Sequence, residues 1–109
     1  MKEFVVEEGN GEDVFCFFED DGETGYFYLY EPQGEGIIDH LHIYSKPEDL
    51  KIREKDVEVI WSGDKTKCAL RIWGKVYGIF DITSNYKVGI SVRNKNTPPI
   101  VDPKLLAGL

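Results

Sequence analysis

Apolar residues recur at every second position over most of this chain, and the alternation breaks where Gly, Asn, Asp and Pro cluster. This is the pattern of short strands joined by tight turns. Phe4 to Val6 opens the series and stops at Gly9-Asn10-Gly11. Val14 to Phe18 is a continuous apolar run, expected of a strand covered on both faces or of one whose second face is lined with aromatics. The acidic turn Glu19-Asp20-Asp21-Gly22-Glu23-Thr24-Gly25 leads into a returning arm, Tyr26 to Tyr30, which predicts a hairpin with Gly22 or Gly25 at positive φ. In that arm Tyr26, Tyr28 and Tyr30 point one way and Phe27 and Leu29 the other. After the loop Pro32 to Gly36, the stretch Ile37 to Tyr44 reads as a further strand.

The second half is the more regular. Val57 to Trp61, Cys68 to Trp73, Val76 to Ile82 and Tyr86 to Val92 alternate and are joined by short connections, which predicts a four-stranded antiparallel meander with a two-residue turn at Gly74-Lys75. Strict alternation puts Val76, Gly78, Phe80 and Ile82 on one side, and likewise Cys68, Leu70 and Ile72. A capping-box spacing at Ser45 to Glu48 with Pro47 predicts a short helix over Lys46 to Lys51. From Asn94 the alternation ends, because Pro98, Pro99 and Pro103 cannot donate to a ladder. Asp102-Pro103 then reads as an N-cap and first helical residue, followed by Leu105, Leu106 and Leu109, an apolar turn that caps the core, frays or docks on a second copy. The fold class expected is mainly β: one antiparallel sandwich or curved sheet of about seven or eight strands with one short helix. Residues 1–97 form the domain and 98–109 a proline-rich tail.

Composition narrows the function classes. Thirteen Lys and Arg against 20 Asp and Glu leave a net charge of −7, which repels nucleic acid and anionic membrane surfaces and suits a soluble domain or a basic protein partner. The opening Met1-Lys2-Glu3-Phe4 has no signal-peptide character and no apolar run approaches a membrane span, so the expected location is cytoplasmic. Cys16 and Cys68 lie inside apolar strand patterns and are expected as free, buried thiols.

His40-x-His42 places two imidazoles on one side of a strand, where both could reach one metal ion; a catalytic zinc would need a third ligand from elsewhere, since Asp39 points to the other face. The carboxylates of Glu19 to Glu23 do not have the spacing of a twelve-residue calcium loop and read as a hairpin tip. No Gly-x-Ser-x-Gly elbow, dinucleotide fingerprint or P-loop occurs, and no cofactor is implied. The positive hint is aromatic. Tyr26, Tyr28, Tyr30, Tyr44, Trp61 and Trp73 are side chains that favour interfaces, with the two tryptophans also serving the core.

The segment Glu19 to Tyr28, EDDGETGYFY, resembles the signature of a small uncharacterised bacterial family of the domain-of-unknown-function type. The resemblance continues through Ile38 to Tyr44, Val57 to Ser62 and Ile79-Phe80-Asp81, and leaves Asn94 to Leu109 outside. It implies a bacterial cytoplasmic protein and carries over no functional residue. The function expected is therefore a non-enzymatic protein-binding module, its interaction face at Tyr26, Tyr28 and Tyr30 and its partner another protein, immunity-like by analogy of size and charge, or a second copy. The alternative is a metal-binding protein or metal-dependent enzyme using His40 and His42.

Overall fold

The computed structural model describes residues 3–45 and 50–109. Eight strands form two antiparallel four-stranded meanders: β1 (Phe4–Gly9), β2 (Phe15–Asp20), β3 (Thr24–Glu31) and β4 (Gly36–Ser45) in the first sheet, and β5 (Val57–Trp61), β6 (Lys67–Ile72), β7 (Lys75–Asp81) and β8 (Tyr86–Gly89) in the second. A 3-10 turn at Glu54–Asp56 enters the second sheet, and a short helix, α1 (Pro103–Leu106), lies near the end. Four of the six positions expected to be helical at Lys46 to Lys51 lie outside the described residues, and Leu50 and Lys51 are not helical.

The two sheets pack face to face, with β1 against β5 and β4 against β8. Period-two alternation sends Cys16, Phe18, Phe27 and Leu29 of the first sheet inward to meet Val57, Val59, Cys68, Leu70, Ile72 and Phe80 of the second. Phe27 and Phe80 touch across the interface with ring centroids 5.0 Å apart. Cys16 and Cys68 are free and fully buried in this layer, where desolvation, followed by contact with Cys16, pushes the Cys68 thiol far above its ordinary range. At the β2–β3 hairpin Gly22 takes φ +95°, while Gly25 serves space: a Cβ there would sit 2.6 Å from the Tyr44 ring.

Three expectations are corrected. The two-residue turn is Trp73-Gly74, both at positive φ, with Lys75 already paired to Ile72. One residue later the register slips, Leu70 facing Gly78 but Arg71 facing Val76, so Tyr77 is the extra residue of a bulge. Val76 therefore leaves the side it was expected to share with Gly78, Phe80 and Ile82, and packs on the opposite face beside Ile79. Third, β8 ends at Gly89 instead of running to Val92: the Val92 N–H donates to the Ile43 carbonyl (2.8 Å), crossing to the first sheet.

The tail folds back on its own chain. The Ile100 N–H donates to the Val76 carbonyl (2.8 Å), and Asp102 caps α1 by accepting from the Lys104 N–H (2.9 Å). Ile100, Leu105, Leu106 and Leu109 then cover Ile60, Ala69, Val76, Ile79 and Val88 on the outer face of the second sheet. The Lys67 ammonium closes the end of the helix, donating to the carbonyls of Lys104, Leu105 and Ala107 at 3.1, 3.4 and 3.3 Å.

Candidate functional site

The outer face of the first sheet is the complement of its core face, and its residues follow from the ladder. Register sets Val5, Glu19, Tyr26 and His42 in one row, Glu7, Phe17, Tyr28 and His40 in the next, and Gly9, Phe15, Tyr30 and Ile37 in the third. Tyr26, Tyr28 and Tyr30 thus share a face, each half-buried, with Phe27 and Leu29 buried behind them. Of the two readings of Val14 to Phe18, the aromatic-lined second face holds, since Phe15 and Phe17 stand half-exposed among the tyrosines.

The rings are arranged against one another. Phe17 stacks on Tyr28 at 4.7 Å and 27°, Tyr26 and Tyr28 lie at 5.9 Å and 25°, and Tyr30 meets Phe17 edge-on at 6.0 Å. Because the Tyr28 π-face is turned toward a neighbour, the surface presents ring edges and hydroxyls more than flat platforms of the kind on which bases stack. Glu7 and Glu19 flank the rings in the two upper rows. Desolvation raises the Tyr28 phenol above its ordinary value, with the Glu19 charge adding to it.

His40 and His42 lie on this same face as expected, both exposed and both packed near Tyr26, at 6.0 and 5.0 Å between ring centroids. His42 Nε2 shares a hydrogen bond with Ser45 Oγ (3.1 Å). Asp39 points away toward the second sheet, where its carboxylate accepts from the Lys87 ammonium at 2.5 Å. Burial alone would raise this carboxyl, but the Lys87 bond and the His40 N–H outweigh it and hold it below the usual range. Among the described residues no three His, Cys, Asp or Glu side chains come close enough to share a metal ion.

Elsewhere the expected groups have structural partners. Asp21 Oδ1 accepts from the N–H groups of Glu23 (2.9 Å) and Thr24 (2.7 Å), ordinary turn bonding that also lowers its pKa. Tyr44, counted by its sequence position among the interface aromatics, is fully buried and donates to Asp20 at 2.5 Å. The cause is a register shift between Gly25 and Tyr26: Tyr26 faces His42 but Gly25 faces Tyr44, so Ile43 is extra and Tyr44 turns inward instead of following His40 and His42. Trp61 and Trp73 pack partly on the core, and the Trp61 indole N–H donates to the Glu8 carbonyl (2.9 Å).

That last bond belongs to a pattern. The first sheet has two edge strands, and both are engaged by donors from the rest of the chain: Trp61 at β1, and Lys87 and Val92 at β4, through the carbonyls of His40 and Ile43. Edges held in this way are poor templates for another strand, which leaves the face as the accessible surface of this sheet.

No helix among the described residues is long and apolar enough to cross a membrane. No solved structure matches the chain. A protein of Haemophilus influenzae described as an uncharacterized protein is 36% identical over 67 residues, covering 59% of this chain; the chain thus spans 42% of that relative's own length. A family model described as "Uncharacterized protein conserved in bacteria (DUF2251)" matches residues 1–102, running past Asn94, where the resemblance seen in the sequence stops, and through Ile100. With the match covering both sheets and the start of the tail, the chain belongs to this family of bacterial proteins.

Proposed function

We propose that the protein is a non-enzymatic binding module that recognises a basic protein partner through the outer face of its first sheet. The observation that carries this reading is the contrast between two surfaces of one sandwich. The outer face of the second sheet is covered by Ile100, Leu105, Leu106 and Leu109, whereas Phe17, Tyr26, Tyr28 and Tyr30 remain half-exposed. Tyrosine is the residue type that holds such a position, its ring supplying apolar area and its hydroxyl a hydrogen bond once water leaves. Glu7 and Glu19 beside the rings, on a chain of net charge −7, give the face the sign that attracts a cationic surface. A toxin domain neutralised by this protein would be one such partner.

The test compares the unaltered chain with Tyr26→Ser/Tyr28→Ser as baits in lysate of a bacterium that encodes the protein, with the oligomeric state of each followed by sedimentation. A basic protein retained by the first bait and lost from the second, then bound directly after purification, supports the proposal. Equal retention by both baits overturns it, and so does a homodimer of the unaltered chain that the double variant abolishes.

A further inference from the structure

A second site, sharing no residue with the aromatic face, lies where the Trp73-Gly74 turn meets two segments from distant parts of the chain. Here a cleft of 520 Å³ is lined by Lys51, Arg53 and Lys95, by Asn94 and Asn96, and by Leu50 and Trp73. No carboxylate is among the described residues that line it, although acids outnumber bases 20 to 13 in the chain. The contrast with the groove between the sheets, lined by Glu31, Asp39 and Asp81, is one of sign.

Four features prepare the cleft for a ligand. The loop carrying Lys95 is pinned: Thr97 Oγ1 accepts from the N–H groups of Arg93 (3.0 Å) and Asn94 (3.1 Å), and the Thr97 carbonyl accepts from the Tyr77 hydroxyl (2.8 Å). Asn94 Oδ1 is occupied by the Asn96 N–H (2.8 Å), which leaves the Asn94 side-chain NH₂ as its remaining polar group. Trp73, a bulky residue at φ +54° in a turn position that Asn or Gly occupies without strain, is half-buried in the wall, and the Lys95 ammonium sits 5.6 Å from its ring centroid. Strain at such a position is a pointer to function. Arg53 lies 3.9 Å from Asp56 through Nε, and its side chain is 70% exposed, so the rest of its guanidinium fork faces outward.

We propose that this cleft binds a small oxyanion, phosphate or carboxylate, held among Lys51, Arg53 and Lys95 beside Trp73. Cationic and amide donors around one opening match an acceptor-only group, and an ordered loop lowers the entropy lost on binding.

The experiment is a titration of the isotope-labelled full chain followed by amide and indole N–H resonances. Inorganic phosphate is added in one arm, malonate in a second and sodium chloride at matched ionic strength in a third. Saturable shifts at the Trp73 indole and at the amides of Asn94, Lys95 and Asn96 are expected with phosphate or malonate, while the Trp61 indole stays still. The tighter of the two arms identifies the oxyanion. Lys51→Gln/Arg53→Gln changes two exposed side chains, and Lys95→Gln changes a third; each variant should keep a dispersed spectrum and bind about tenfold more weakly, the loss expected for charge-assisted hydrogen bonds. Shifts that chloride reproduces, that fail to saturate, or that persist unchanged in both variants overturn the proposal.

Discussion

The two outer faces of this sandwich meet the same problem with different chemistry. On the second sheet Ile60, Val76, Ile79 and Val88 have no polar tip, and the chain folds its own tail over them. On the first sheet the corresponding surface is built from Tyr26, Tyr28, Tyr30 and Phe17, which shield one another by ring contact and stay half-exposed. Aliphatic groups return free energy only when they are covered, whereas tyrosine is stable half-covered and ready for a partner. An intramolecular cover and an open aromatic surface are thus two outcomes of side-chain type on otherwise similar meanders.

The contrast breaks most readily at the cover. Deleting residues 98–109 should cost about 4 kcal/mol in urea unfolding, the transfer of roughly two fully buried aliphatic side chains to water, and should make the protein self-associate in sedimentation. An unchanged unfolding midpoint and a monomer would mean that the tail does not protect the face. Ile100→Ala tests the same contact at a single buried position and should cost about 2 to 3 kcal/mol.

Next in size is the buried Tyr44–Asp20 bond behind the open face. Tyr44→Phe should lose about 2 kcal/mol, because Asp20 loses a buried donor. Burial first, and the bond to Asp20 second, hold the folded-state pKa of Tyr44 above the ordinary value of 10.0. As pH rises the unfolded chain therefore gives up this proton before the folded chain does, so the contribution is fully present below about pH 10 and declines above it. Urea unfolding between pH 8 and about 11 should show a steeper alkaline decline for the unaltered protein than for Tyr44→Phe, and equal slopes would contradict the assignment.

The open face itself should be cheap to alter. Tyr28→Ser is expected to cost about 1 kcal/mol, the scale of one or two partly exposed ring pairs, while abolishing capture of the basic partner. A loss as large as that from the tail deletion would make the rings part of the core, and the proposed docking role would fall with it. The smallest effect is expected at the link between the sheets, where Lys87→Ala should cost about 0.5 kcal/mol at low salt and less at high salt, since both side chains are partly exposed. Asp39 titrates below the usual carboxylate range, so its share is present above about pH 4 and fades as pH falls through the lowered folded-state value; thermal melts at both salt levels and at acidic pH measure it.

Much of the candidate face was legible before folding. Alternation alone separates Tyr26, Tyr28 and Tyr30 from Phe27 and Leu29, puts His40 and His42 together and turns Asp39 away, and Asp102-Pro103 marks the start of α1. The two errors of facing have one physical origin. A bulge inserts a residue that no composition signal announces, and every later side chain changes sides. The extra residue at Ile43 carries Tyr44 into the core, and the one at Tyr77 puts Val76 on the opposite face from Gly78. The cationic cleft left no trace in local sequence, because Lys51, Arg53, Trp73 and Lys95 come from three separated segments.

Local preference, acting between neighbours in the chain, was enough to specify most of the strands, the capped helix and the parity of the tyrosines. Which sheet face received a cover, which aromatics were withdrawn from water and which cations met in one cleft depend on contacts between residues tens of positions apart. Those contacts exist only once the two meanders have closed on each other and the tail has chosen its side.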